Sequence, residues 1–189
     1  AQSQRMCKLL QDMSALTKLD ETQERIEQGA DLPEMKQQVD VSKVIDNVLE
    51  DTSLQLKEKG IEVVRNTPHE MIVNGNPTLI YGIFRNLVDN SIAYATGATR
   101  ICIIGIEVEE GDRHSYEFTV SDNGQGVSPE HLPHRFERFY RVEKGRSRKL
   151  GGTGLGLAIV KNSVTAHGGT VTAELTPHGG LTIRFTLSS

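Results

Sequence analysis

The sequence has no tryptophan, only two cysteines and no long apolar run. Each shortage excludes something. Crossing a bilayer as a helix takes about 18 or more consecutive apolar residues, and no stretch here comes near that. The amino-terminal residues also lack the basic, apolar and small-residue order of a secretion signal, so the chain reads as soluble and cytoplasmic. Cys7 and Cys102 sit in apolar stretches, outside any C-x-x-C or similar spacing. The expectation is reduced, buried thiols, neither a disulfide framework nor a metal centre. An excess of basic charge is missing too. The formal net charge of −4 offers no overall attraction to nucleic acid or to an anionic membrane, so nucleic acid is not an expected partner. Any polyanion bound here must be held by a local cluster of donors. With 37% hydrophobic and 24% charged residues, a packed core is expected rather than disorder. The 189 residues suit one ordinary domain with an appendage, or two small domains.

Residues 1–28 contain no proline, and Met6, Leu9, Leu10, Met13, Leu16 and Leu19 recur at spacings of one, three and four. That pattern predicts an amphipathic helix with an apolar seam. Gly29 and Pro33 end it, and residues 31–40 read as a linker. A second helix is expected from Ser42 to about Lys59, stopped by Gly60. Short strands are expected at Ile61–Arg65 and Met71–Val73. Pro77 suits the first turn of the next helix, where its missing N–H does no harm. Leu79, Ile80, Ile83, Phe84, Leu87, Val88 and Ile92 form that helix's buried stripe. Two β-rich runs follow, Arg100–Val108 and Ser115–Val120, and then a long glycine-rich, basic and aromatic region from Asp122 to Gly152. A helix over Leu155–His167 leads to strands at Thr170–Leu175 and Leu181–Leu187. There are no internal repeats. Strands segregated from a few helices indicate a two-layer α+β sandwich.

Asn86 and Asn90 fall at i and i+4 of the helix that Pro77 opens, so both amides share one face, off the apolar stripe. Asparagine is a mediocre helix former, and the pair is either two solvated positions or a functional one. Asp122-Asn123-Gly124-Gln125-Gly126 follows directly on a strand. Alone it is a turn signal, and its glycines equally let the backbone approach a ligand. A second cluster, Gly151-Gly152-Thr153-Gly154-Leu155-Gly156-Leu157, opens a helix. Free amides there, flanked by glycine, form an anion site suited to phosphate. It is not a P-loop, because no Gly-Lys-Ser/Thr follows. It is not the dinucleotide fingerprint either, since Gly152, Gly154 and Gly156 are evenly spaced and a basic, non-strand segment precedes them. A protein-kinase glycine loop is followed by a strand, not a helix. Between the clusters, Phe136-Glu137-Arg138-Phe139-Tyr140-Arg141 and then Arg146, Arg148 and Lys149 combine apolar residues with cations. A lid over a phosphate needs both; a surface helix with scattered charge is the plainer alternative.

In this order the motifs resemble one family, the histidine kinases. Asn86-Leu87-Val88-Asp89-Asn90 resembles the N box, Asp122 to Gly126 the G1 box, Arg135 to Arg141 the F box, and Gly152 to Gly156 the G2 box. The resemblance covers Val41 to Leu187, and the leading helix is similar to the second helix of the family's dimerisation domain. It implies an α+β fold of Bergerat (GHKL) type: a two-layer α/β sandwich, its mixed sheet covered by helices on one face and preceded by one long N-terminal helix. Residues 1–30 are then the second helix only of a dimerisation and phosphotransfer domain, 31–40 a linker, and 41–189 the catalytic ATP-binding domain.

ATP and Mg²⁺ are the implied cofactors. Asp122 matches the carboxylate that accepts a hydrogen bond from the exocyclic amino group of adenine, where guanine would present an acceptor. Asn90 matches the Mg²⁺ ligand, and Asn86 a polar partner near the phosphates. Tyr94 matches a position beside the phosphates. Gly124, Gly126, Gly152, Thr153, Gly154, Leu155 and Gly156 match the loops that enclose the nucleotide. Gyrase-like ATPases of the same superfamily carry a glutamate where Asn86 stands, as the base that activates water. Asparagine cannot take that proton, which favours phosphoryl transfer to another nucleophile. Arg138 and Arg141 are the candidate catalytic cations of the lid, with Arg146 and Arg148 behind them. Phe136 and Phe139 are expected to anchor it.

The family's nucleophile is a histidine on the first dimerisation helix, and an aspartate of a response regulator receives the phosphoryl group next. The implied partners are the histidine-bearing dimerisation helix of a parent kinase, a response regulator and, in the full-length protein, a second copy in a homodimer. No histidine precedes His69, and none of the six lies on an amphipathic helix beside an acidic residue. The phosphoacceptor is therefore expected in another part of a longer parent protein, one anchored in the bacterial inner membrane. Ala93 stands where a basic residue is common in the family, and Asn76 where an acidic one is common. These departures favour an alternative, a degenerate nucleotide-dependent binding module. A serine kinase of the anti-sigma-factor type shares the fold, but it is not expected to carry the leading helix.

Overall fold

The structure, a computed structural model, describes residues 2–140, 153–177 and 179–189. Arg141, Arg146, Arg148 and Gly152 lie outside the described residues. The leading helix α1 spans Gln2–Glu27, and a 3-10 turn at Pro33–Met35 leads to strand β1, Gln37–Asp40. Asp40 then caps helix α2 (Val41–Asp51): its carboxylate accepts from the Ser42 N–H at 3.0 Å and from the Met71 N–H at 3.1 Å. The single helix expected over 42–59 is broken, because α3 (Ser53–Glu58) starts afresh after Thr52. The Thr52 hydroxyl donates to the Val48 carbonyl at 2.7 Å and shares that oxygen with its own N–H at 3.0 Å. Strands β2 (Glu62–Asn66) and β3 (Ile72–Gly75) follow. β3 pairs antiparallel with β1. Part of the expected linker is thus a strand, and its single buried apolar residue, Val39, was too little pattern to read.

Helix α4 (Pro77–Tyr94) begins as the sequence indicates. Pro77 occupies the first turn, and the Asn76 side chain accepts from the Leu79 N–H at 3.1 Å. The remaining elements are β4 (Arg100–Glu110), β5 (Arg113–Asp122), α5 (Gly156–Ala166), β6 (Val171–Leu175) and β7 (Leu181–Ser188). Five strands form one sheet in the order β2-β4-β5-β7-β6, with β2 parallel to β4 and the other neighbours antiparallel. The sheet is mixed, as expected.

Alternation along the strands sends Ile101, Ile103, Phe118, Val120, Ile183, Phe185 and Leu187 to one face, where α2, α4 and α5 cover them. Without tryptophan, the centre of the core is three phenylalanines. The Phe84 ring of α4 meets Phe118 and Phe185 edge-on at 5.3 Å each, and those two stack on one another at 5.3 Å. On the opposite face Arg184 bridges Glu117 at 2.8 Å and Glu174 at 3.1 Å. One apolar and one polar face define the two-layer sandwich.

The seam of α1 divides. Leu16 and Leu19 are buried against Leu155, Ala158 and Ile159 at the start of α5. Met6 (64%), Leu10 (61%) and Met13 (45%) stay exposed. Cys7, on this helix, is exposed and Cys102 half-buried, so neither thiol is buried as expected, and both are free. No helix among the described residues is long and apolar enough to cross a membrane.

Candidate functional site

A cavity of about 610 Å³ opens between α4, the end of β5, the start of α5 and the N-terminal half of α1. Its floor is Asp122, the last residue of β5 and 7% exposed. The Gly124 N–H donates to its Oδ1 at 3.0 Å, the Leu181 N–H to the same oxygen at 3.3 Å, and the Ser91 hydroxyl to Oδ2 at 3.3 Å. Burial pushes the carboxyl above the usual carboxylate range, and these three bonds, with the charge of Arg135, act against that rise. The chain can approach so closely only because residue 180 is glycine. A Cβ there would lie 1.9 Å from the Asp122 carbonyl oxygen, and its φ of +100° suits no other residue.

One wall is α4. Asn86, Asn90 and Tyr94 recur every four residues along the same face, and all three line the cavity. The Asn86 Nδ2 donates to the Gly82 carbonyl at 2.8 Å, which aims its Oδ1 at Gly156. A Cβ on Gly156 would stand 3.2 Å from that oxygen, so glycine lets the amino end of α5 abut α4. Thr153, Gly154 and Gly156 line the cavity where α5 begins, and Gly126 lines it beside Asp122. Helix α5 is 11 residues long, so its first amides form a positive end directed at this space.

The other predicted residues fall elsewhere. Leu155 is wholly buried beneath Leu16 and Leu19 and holds α1 in place. Gly124 serves Asp122 through its N–H. Arg138 does not line the cavity; it donates to Asp20 of α1 at 2.7 Å. Phe136 packs against the core, but Phe139 is 55% exposed at a φ of +63°, so only one of the two expected anchors docks.

Several residues at the cavity carried no expected role. Asp12 of α1 is 4% exposed; it accepts from the Thr153 hydroxyl at 2.6 Å and pairs with Lys8 at 3.1 Å. Thr153 in turn accepts from the Leu155 N–H at 3.2 Å. Arg135, which opens the F-box segment but was given no role, lines the cavity as well, and Ser91 stands behind it, bonded to Asp122. A signal existed for Ser91, one residue beyond Asn90 on the inner side of α4, but none for Asp12.

A sandwich with a cavity that joins a buried carboxylate, a row of helical amides and a glycine-opened helix end belongs to the class that holds adenine nucleotides between helices and sheet. Residues 75–189 match the family described as histidine kinase-, DNA gyrase B-, and HSP90-like ATPase, and the chain belongs to that family. Within it, the chain is similar to sensor histidine kinases. The sensor histidine kinase WalK of Bacillus subtilis is 35% identical over 98% of this chain and 29% of its own length. The phosphate regulon sensor protein PhoR of Haemophilus influenzae is 35% identical over 97% of this chain and 40% of its own. The chain thus spans well under half of either relative. Among solved structures, full-length ShkA in complex with AMPPNP superposes with a TM-score of 0.73 at 26% identity, over 96% of this chain and 35% of that one.

Proposed function

We propose that this chain binds ATP with Mg²⁺ and presents the γ-phosphoryl group to a histidine on another helix of a longer parent kinase. The observation that carries the reading is the convergence of Asp122, Asn86, Asn90 and the amino end of α5 on one cavity. Asp122, held by two main-chain amides and Ser91, accepts from the exocyclic amine of adenine. A carbonyl in that place, as in guanine, would face its lone pairs. The first amides of α5 and the Thr153 side chain meet phosphate oxygens. Asn90 supplies a neutral amide oxygen, a donor that suits a hard cation already shared with phosphate and water. Mg²⁺, if held by Asn90, would supply positive charge against the phosphates.

Asn86 cannot remove a proton from water at neutral pH. The cavity therefore holds the phosphoryl group for an incoming nucleophile instead of hydrolysing it. Arg138 joins the transfer only after leaving Asp20, and Arg141 is the second proposed cation. Residues 1–30 act as the second dimerisation helix, 31–40 as a linker and 41–189 as the catalytic domain. The parent is a homodimer on the cytoplasmic side of the bacterial inner membrane, and a response regulator is the next acceptor. The full-length relative solved with AMPPNP supports the nucleotide reading.

Calorimetric titration of the folded chain with ATP and Mg²⁺ tests the first half. Saturable binding is expected, and its absence overturns the proposal. The second half is tested by adding a histidine-bearing dimerisation helix in trans with γ-labelled ATP. Label on that helix is expected; binding without any labelling would leave only a nucleotide-dependent binding module.

A further inference from the structure

Arg135 follows the 3-10 turn Pro129–His134 and lines the cavity. Its neighbours are fixed by that turn: the His131 Nδ1 meets the Tyr140 hydroxyl at 2.5 Å, and the His134 ring stacks on Tyr140 at 5.2 Å. The Arg135 Nε is buried, with no hydrogen-bond partner among the described residues. Burial lowers the pKa of the guanidinium, and the electrostatic influence of Tyr94, Tyr140 and Asp122 acts against this. Arginine stays protonated regardless, so a full positive charge sits against the cavity with a donor unspent. A buried donor left so is costly, and the arrangement makes sense when a ligand brings the acceptor.

The nucleotide offers two kinds of acceptor, neutral ring nitrogens and anionic phosphate oxygens. A planar cation with five donors matches the second. Its position along the cavity narrows this further. Asn86 and Gly156 mark one end of the α4 row, while Tyr94, two turns on, and Asp122 mark the end where the base sits. Arg135 lines the same cavity as Tyr94, Tyr140 and Asp122, and these are the groups whose electrostatic influence it feels. We infer that Arg135 grips the phosphate nearest the nucleoside, and so anchors ADP as firmly as ATP. The inference rests on the nucleotide reading above and gives a contact to the first residue of the F-box segment, for which no role was expected.

The test compares ATP, ADP and adenosine binding, each by calorimetry with Mg²⁺, to the parent chain, Arg135→Met and Arg135→Lys. The Met variant is expected to lose about tenfold or more in affinity for both ATP and ADP, and nothing for adenosine. The Lys variant keeps charge without the fork and should fall between. Replacing a buried charge by an apolar side chain of similar length should leave the melting temperature unchanged or raised. Three outcomes overturn the inference: adenosine weakened as much as ATP, ATP weakened well beyond ADP, or no nucleotide weakened at all. Failure of the parent chain itself to bind ATP would instead sink the nucleotide reading.

Discussion

The floor and the rim of the cavity are built in different ways. On the floor, Asp122 is held by main-chain amides and Ser91, at the end of a strand whose Phe118 and Val120 belong to the core. On the rim, Thr153 is held by a side chain of α1, Asp12, and outside the cavity Arg138 is held by another, Asp20. The floor cannot shift unless the sheet does. The rim keeps its geometry only while α1 stays docked, through the small cluster of Leu16, Leu19, Leu155, Ala158 and Ile159. The Asp122 end is thus preorganised, whereas the Thr153 end depends on a helix from outside the sandwich.

The contrast is broken most directly at the core under the floor. Phe84→Ala removes the ring between Phe118 and Phe185 and is expected to cost about 3–5 kcal/mol of unfolding free energy. Urea melts measure it; a loss below about 1 kcal/mol would show that the three rings do not form one core. Next comes Asp122→Asn, which keeps the shape and removes the charge. It should weaken ATP binding by about 1.5–3 kcal/mol in calorimetry, and unaltered affinity would mean that the base sits elsewhere.

A smaller effect depends on pH. His167 is held neutral: its Nε2 accepts from the Asn76 N–H at 3.0 Å and its Nδ1 contacts the Ser163 carbonyl at 2.6 Å. Burial lowers its pKa, against a weaker raising influence from the Ser163 carbonyl. The unfolded chain therefore gains a proton below about pH 6.5 that the folded chain does not. Stability should fall as pH drops from about 7.5 to 5.5, by at most about 1.4 kcal/mol per pH unit from this group. The urea midpoint reads the effect, and His167→Gln should flatten it; an identical slope in that variant would assign the dependence to other groups. Asp20→Asn should matter least. Arg138 and Asp20 are each about half exposed, so the thermal melt should shift by no more than about 1 kcal/mol of stability. A loss on the scale of Phe84→Ala would erase the distinction between floor and rim.

Periodicity and glycine made much of this legible beforehand. The α4 stripe was plain because seven apolar residues repeat at helical spacing, and every one is buried or packed at the core edge. The cavity-lining positions of Asn86, Asn90 and Asp122 could be read because each stands at a fixed offset from a strand or helix end. What escaped reading depends on partners distant in sequence. Val39 becomes a strand residue only opposite Val73. The helix breaks at Thr52, whose hydroxyl bonds a carbonyl four residues back, and a threonine in a polar stretch does not announce it. Asp12 reads as one more charge on a solvated face until Thr153, 141 residues later, is brought against it. Arg135 looks like one of several lid cations, and only its burial distinguishes it.

Gly156 acts as a gauge. It sets α5 against α4 with one amide group as the shim between them, since a methyl would stand 3.2 Å from Asn86 Oδ1. The distance from the asparagine row to the free amides of α5 is therefore a machined clearance, with a tolerance of tenths of an ångström. That margin is the one within which a hydrogen bond is made or lost. Alanine there would act as a wedge against the Asn86 amide oxygen, which must give by a few tenths of an ångström to admit it.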